Sequence, residues 1–307
     1  MDNRNIIWID GFLYESQDAK IHILTHSLHY GTAVFEGIRC YKTQKGLALF
    51  RLEDHLKRLF NSAKIYFMNI EYSMKELEDA IIKTIKKNGL EECYIRPLVY
   101  FGHGKMGVYP LNNKVSVSIA VWKWDEYLKK ESDEQGIRLM VSGWMRIDGR
   151  TMPVHAKATA NYANSALARI EAIKSGFDEA ILLNTAGKVV EASAENVFIV
   201  KNKTLITPPI SSGSLEGITR DTVLALAKED SILTEIRDIS KDELYLADEI
   251  FLTGTAAEIK SVGEIDNRMI GNGKTGTITK RMKKLFEKVT RGNHKYSEKW
   301  LIYLSDN

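Results

Sequence analysis

Lys157 stands in the run Arg150 to Ala168, RTMPVHAKATANYANSALA, with Ala156, Ala158 and Ala160 around it and no neighbour long enough to pair with its ammonium. Small neighbours let a flat ligand come close, and desolvation lowers a lysine pKa by up to about 3–5 units, which frees the amine as a nucleophile. The same residues also suit an ordinary lysine at the start of a helix. Glu191 is set among Ala192, Ser193 and Ala194 at a strand end. Such a carboxylate either holds a ring nitrogen in its protonated form or is solvated. Arg58 lies off the centre of an apolar helical face, as a cation aimed at an anion or as a solvated side chain. In Tyr94-Ile-Arg96-Pro-Leu-Val-Tyr100 the strand period of two puts an arginine between two tyrosines. That arginine binds a carboxylate, steers a tyrosine that does, or has a structural partner. The run SSGSLEG leads into a helix near Ile218, whose open backbone N–H groups and dipole suit a phosphate. The dipole supplies only about 0.3–1 kcal/mol, so an arginine or hydroxyls must assist. Thr253-Gly-Thr-Ala-Ala257 is a hydroxyl-rich turn of that kind.

The elements that position these groups follow from periodicity and turn signals. Asp10–Gly11 closes an opening hairpin. Leu52, Leu56, Leu59, Phe60, Ala63 and Phe67 form one helical face, with His55 and Arg58 off its centre. Ser73 and Glu76 spell a capping box before the stripe Leu77, Ala80, Ile81, Thr84 and Ile85, and Asn88–Gly89 stops that helix. Val34 to Tyr41 reads as a strand in which Gly37 marks a close approach or bulge, and Pro97 favours a sheet edge. Short links from Phe177 to Thr207 favour antiparallel hairpins over crossovers. The charged segment KWDEYLKKESDEQ divides the chain into a small domain at 1–122, an interdomain loop at 123–135 and a large domain at 136–307.

Composition narrows the function classes. The 307 residues are 44% hydrophobic and 27% charged, and 43 basic against 40 acidic residues leave a net charge of +3. No basic tract is interleaved with aromatics, so no nucleic-acid partner is expected. No apolar run approaches the roughly 20 residues of a membrane span, and two isolated cysteines make no disulfide framework. A cytoplasmic protein without a membrane partner is the expectation. His22, His26 and His29 fall at helical spacing but lack accompanying carboxylates, so structural roles are expected and no metal is assigned. Gly271-Asn-Gly273-Lys-Thr-Gly276 imitates a nucleotide loop, yet Arg268 replaces the first glycine of a Walker A motif. A glycine turn into the last helix is the simpler assignment.

An amine nucleophile, a tyrosine, a carboxylate, an arginine and a phosphate-ready helix end together suit pyridoxal 5'-phosphate. The sequence also resembles the branched-chain-amino-acid aminotransferases of the fold-type-IV pyridoxal phosphate family. LHYGTAVFEGIRCY, YIRP, KMGVYP, AKATANY, GITRD and LADEIFLTGTAAEI carry the likeness, in order, over nearly the whole chain. The resemblance implies an α+β, two-domain fold: a small α/β N-terminal domain and a larger domain with a largely antiparallel sheet or barrel. It implies that Lys157 forms the Schiff base and moves the proton, that Glu191 meets the pyridine nitrogen, and that Tyr162 meets the ring hydroxyl. Arg58, the Ile218 and Thr219 amides and the Thr255 hydroxyl would hold the phosphate, with Leu215 against the ring. The Thr255 and Ala256 amides, with Tyr94 steered by Arg96, would take the substrate carboxylate. Tyr30, Phe35, Gly37, Met106, Val108 and Tyr127 would line the side-chain pocket, with Arg39 a candidate for an acidic substrate. Part of that pocket would come from a sister protomer, so at least a homodimer, or a hexamer, is implied. The expected reaction is transamination of L-leucine, L-isoleucine and L-valine with 2-oxoglutarate. Two places depart from relatives: Ala192-Ser193-Ala194 is less glycine-rich, and Asp-Glu separates Trp124 from Tyr127 where relatives often have Gly-Ala.

Overall fold

Asp10 and Gly11 both take positive φ (45° and 92°) and close a two-residue hairpin, with Ile9 facing Phe12. From that hairpin onward, the computed structural model of the chain describes residues 5–124 and 135–304. In order, they form β1 (Ile6–Ile9), β2 (Phe12–Glu15), α1 (His26–Tyr30), β3 (Ala33–Phe35), β4 (Ile38–Thr43), β5 (Gly46–Phe50) and α2 (Leu52–Ile65). Next come α3 (Met74–Asn88), β6 (Cys93–Phe101), β7 (Val115–Lys123), β8 (Ile137–Val141), α4 (Asn161–Lys174), β9 (Glu179–Leu183) and β10 (Val189–Ala192). Then follow β11 (Asn196–Lys201), β12 (Thr204–Thr207), α5 (Ile218–Glu229), β13 (Thr234–Ile236), α6 (Lys241–Tyr245) and β14 (Glu249–Gly254). The remaining elements are β15 (Glu258–Ile265), β16 (Arg268–Met269), α7 (Thr277–Thr290), α8 (Ser297–Trp300) and β17 (Leu301–Tyr303).

The chain divides into two compact units. The first comprises Met1–Asp125, Ala156–Ala160 and Val289–Asn307; the second comprises Glu126–His155 and Asn161–Lys288. The segment carrying Lys157 and the C-terminal stretch therefore pack with the N-terminal residues, which differs from the division at 1–122, 123–135 and 136–307. The cause is pairing across long sequence separation. Val34 bridges to Ala158, and β17 pairs with β5.

In the first unit the sheet runs β17-β5-β4-β6-β7-β1-β2, with β3 also paired to β6. Leu52, Leu56, Leu59 and Ala63 of α2 and Leu77, Ala80, Ile81 and Ile85 of α3 are buried in one core with Ile38, Cys40, Ile95 and Ile119. Each fully buried leucine contributes roughly 2 kcal/mol. The α3 capping box is present, and Gly89 ends that helix at φ 62°. Phe67 does not join the α2 face. It lies past the helix end, 79% exposed and at positive φ. Pro97 is not at an edge either, because β6 runs between β4 and β7. It sits where β3 stops and β4 begins, and its carbonyl accepts from Glu36 N at 2.9 Å. A break in the neighbouring strand tolerates a residue with no N–H to give.

The sheet of the second unit runs β10-β9-β8-β15-β14-β11-β12-β13. It is antiparallel through β14 and its neighbours and parallel at β8–β9, β8–β15 and β12–β13. The β8–β9 pairing is a crossover through α4, which the short links elsewhere did not announce. Among the described residues no helix is long and apolar enough to cross a membrane.

Candidate active site

In the first unit Lys157 is held by its own backbone. Its N–H donates to Ser62 Oγ at 3.0 Å, and its carbonyl accepts from Phe35 N at 3.0 Å. Ala156 and Ala158 on either side are buried. Lys157 Nζ lies 5.0 Å from the centre of the Phe35 ring. Burial first, then the Arg58 and Arg96 charges, press its pKa down to about 8 against the opposing pull of Glu36 and Tyr94. Arg58 reaches Glu36 through two bonds, Nε to Oε1 at 2.6 Å and Nη2 to Oε2 at 2.8 Å. His55, one turn earlier on α2, meets Glu36 Oε2 at 2.7 Å.

The same unit assembles an aromatic wall. Tyr94 stacks on Trp124 with centroids 4.5 Å apart and lies 5.0 Å from Trp122. Arg96 Nη2 donates to Tyr94 Oη at 3.3 Å, and its guanidinium lies over the rings of Phe35 and Tyr94 at 4.6 and 5.3 Å. Gly37 is the residue this wall requires, since a Cβ there would stand 1.9 Å from Tyr94 Oη. Arg39 is buried opposite Tyr94 in the register of β4 and β6, with its guanidinium over Tyr41 at 4.8 Å. Tyr30, Met106 and Val108 are surface residues of this unit. Tyr127 lies outside the described residues.

In the second unit Glu191 is buried and surrounded by a set of donors. Arg146 Nη2 meets Oε1 at 2.9 Å, while Asn196 Nδ2 and Leu215 N each donate to Oε2 at 3.2 Å. Tyr162 sits in the first turn of α4. Ile218 and Thr219 open α5 after Gly217, whose N-cap position makes no side-chain cap bond. Gly217 is required there because a Cβ would stand 1.8 Å from Asn196 Oδ1. Thr255 and Ala256 form the turn between β14 and β15. Close to these segments, Ser214 Oγ and Thr253 Oγ1 are buried hydroxyls without a hydrogen-bond partner. Glu195 is also buried, and its carboxyl is pushed up to about 8 by that burial and by Glu179.

The first unit thus collects Lys157, Arg58, Phe35, Gly37, Tyr94 and Arg96, and the second collects Glu191, Leu215, Ile218 and Thr219. Glu36, His55, Arg146 and Asn196 were missed in the sequence. His55 carried a weak signal three residues before Arg58; Arg146 carried none, because its partner is far along the chain. The three histidines are engaged structurally: His26 with Thr32 Oγ1 and the Gly107 carbonyl, His29 with the Ile23 carbonyl, and His22 with Leu24 N. At the glycine turn before α7, Glu249 accepts from Ile278 N, Thr279 N and Thr279 Oγ1. Those helix-end donors therefore already face a carboxylate, which disfavours a nucleotide phosphate there.

A family model described as Amino-transferase class IV matches residues 33–265. A protein of Escherichia coli (strain K12) named branched-chain-amino-acid aminotransferase is 44% identical over 296 residues, 96% of each chain. A crystal structure of the Escherichia coli branched-chain amino acid aminotransferase has a TM-score of 0.96 at 43% identity, covering 98% of this chain and 100% of that one. The branched-chain amino acid aminotransferase from Thermobaculum terrenum, crystallised in its PLP-bound holo form, gives a TM-score of 0.92 at 35% identity, with 99% of this chain and 100% of that one covered.

Proposed function

The chain belongs to the class IV aminotransferases, and from that membership we propose the chemistry of its two halves. It is a pyridoxal 5'-phosphate enzyme that transfers the amino group of L-leucine, L-isoleucine and L-valine to 2-oxoglutarate, giving the branched-chain 2-oxo acids and L-glutamate. The residues fit the cofactor on grounds of their own. The pKa of a lysine amine is pressed down to about 8, a buried carboxylate is paired with Arg146, and two buried hydroxyls have no partner. The single observation that carries the proposal is Lys157, set between buried Ala156 and Ala158 with Nζ 5.0 Å from the Phe35 ring, where burial presses its pKa down to about 8.

When bound, the cofactor supplies an aldehyde carbon for amine exchange and a ring that accepts electrons from the substrate α-carbon. With the cofactor bound, Lys157 would be the residue that holds it covalently, and its amine when free would take and return the α-proton. Arg58, the Ile218 and Thr219 amides and Thr255 would hold the phosphate; Glu191 would keep a proton on the ring nitrogen; Tyr162 would meet the ring hydroxyl, and Leu215 would pack on the ring. Arg96 fixes the Tyr94 hydroxyl for the substrate carboxylate, which the Thr255 and Ala256 amides also receive. Phe35 and Gly37, with Tyr30, Met106, Val108 and Tyr127, border the apolar side chain, and Arg39 is assigned to the glutamate side chain. A homodimer and a cytoplasmic location complete the proposal, supported by the apolar surface around Val108 and by the free cysteines Cys40 and Cys93.

The test is a visible spectrum of the protein with pyridoxal 5'-phosphate, before and after L-leucine. Wild type should show a visible band that L-leucine shifts and 2-oxoglutarate restores, while Lys157→Ala should lose the shift. Turnover of D-alanine in preference to L-valine would overturn the substrate assignment. A protein with no visible band would overturn the cofactor.

A further inference from the structure

Glu36 lies between two residues assigned to the substrate pocket, yet its side chain turns the other way. Its backbone N–H donates to the Pro97 carbonyl at 2.9 Å, in the gap between β3 and β4. The carboxylate is fully buried against α2. There it takes Arg58 Nε at 2.6 Å, Arg58 Nη2 at 2.8 Å and His55 Nδ1 at 2.7 Å. Burial works to raise this carboxyl, but Arg58 and His55 outweigh it and hold it well below the usual carboxylate range. Burial likewise presses His55 down against the opposing pull of Glu36, and with Glu36 ionised its Nδ1 is the donor in their 2.7 Å bond.

A two-bond fork fixes the plane of a guanidinium, which one bond does not. Arg58 otherwise hangs from a flexible stem, and its side chain is 13% exposed. The Glu36 fork occupies the Nε–Nη2 edge. We infer that Glu36, braced by His55, is the positioning residue that aims Arg58, so that retention of the cofactor's phosphate depends on a side chain that does not touch it. This rests on the cofactor proposal above.

Titrating full-length protein with pyridoxal 5'-phosphate and with pyridoxal, which lacks the phosphate, isolates the effect. Glu36→Gln keeps the shape but replaces one acceptor with an amide that opposes Arg58. Its dissociation constant for pyridoxal 5'-phosphate should rise by about 10–100-fold, as expected for loss of charge-assisted bonding, and that for pyridoxal by less than about threefold. Arg58→Gln should show the same discrimination, and adding Glu36→Gln to it should cause little further loss, because the two act as one unit. Should Glu36→Gln fail to fold, His55→Gln takes its place. That variant keeps the fork and should weaken the phosphorylated ligand alone by about 3–10-fold. Equal losses for both ligands, or full additivity with Arg58→Gln, would overturn the inference while leaving the cofactor assignment intact. A wild type that binds neither ligand overturns both.

Discussion

A lysine whose amine is pressed down to about 8 from the ordinary 10.5 has a consequence for stability as well as for chemistry. Below pH 8 the folded chain carries a desolvated ammonium, while the unfolded chain keeps the proton up to about 10.5. Between these values the unfolded state binds more protons, so stability rises with pH through that window. Lys157→Met should therefore stabilise the cofactor-free protein at pH 7 by on the order of 1–3 kcal/mol, and the advantage should shrink toward pH 10. Urea unfolding at both pH values measures it, and a gap that does not change with pH would refute the sign. Lys157 could be singled out from the sequence as a candidate nucleophile because its small neighbours are local. Glu36, His55 and Arg146 were not, because each matters through a partner brought in by the fold: Glu36 is 22 residues from Arg58, and Arg146 meets Glu191 from another strand of chain.

Elements that carry their own stop and start signals were read well. The α3 capping box and the Asp10–Gly11 hairpin are stated within a few residues of sequence, and both are present. The parallel pairing of β8 with β9 and the interior place of Pro97 are set by pairing partners, so local pattern could not report them. The glycine turn before α7 belongs between these cases. Its Gly-x-Gly-x-x-Gly spacing imitates a phosphate loop but reads more simply as a glycine turn, and the helix end it opens is served by Glu249 from β14, while a Cβ on Gly276 would stand 2.0 Å from that carboxyl carbon. Glu249 supplies N-terminal capping from a distant strand. Glu249→Ala should cost about 1–2 kcal/mol of stability, as loss of a helix cap does, without changing the KM for L-leucine at a permissive temperature. A guanidinium melt together with steady-state kinetics checks both halves, and an unchanged melt would show that the cap is dispensable.

At the scale of the whole molecule, the first unit presents an apolar surface that the described residues leave uncovered. Ile23, Leu28, Val108 and Tyr109 are all more than half exposed. They belong to one region, since Thr25 bridges to His103 and the His26 ring binds the Gly107 carbonyl at 2.7 Å. Asn113 fixes the same loop by bonds to Lys105 N and O, so the surface is preformed. Beside it opens a hollow of about 330 Å³ lined by Ile7, Ile21, Leu28, Leu98 and Tyr100, which could seat an apolar side chain. Apolar patches on isolated soluble chains rarely exceed a few hundred Å², and the occupant proposed for this one is a second copy of the chain. Tyr30, Met106 and Val108 lie in this region, so its loss should affect substrate as well as assembly. Leu28→Asp would place a carboxylate in the contact and should raise the dissociation constant of the dimer by about 100-fold or more, the effect of an unpaired buried charge. The monomer should then retain its visible cofactor band while turnover of L-leucine falls. Sedimentation at micromolar concentration, read beside the spectrum, separates the outcomes: a variant that stays dimeric with full turnover would place the interface elsewhere, and a dimeric variant that loses turnover would make Leu28 part of the pocket alone.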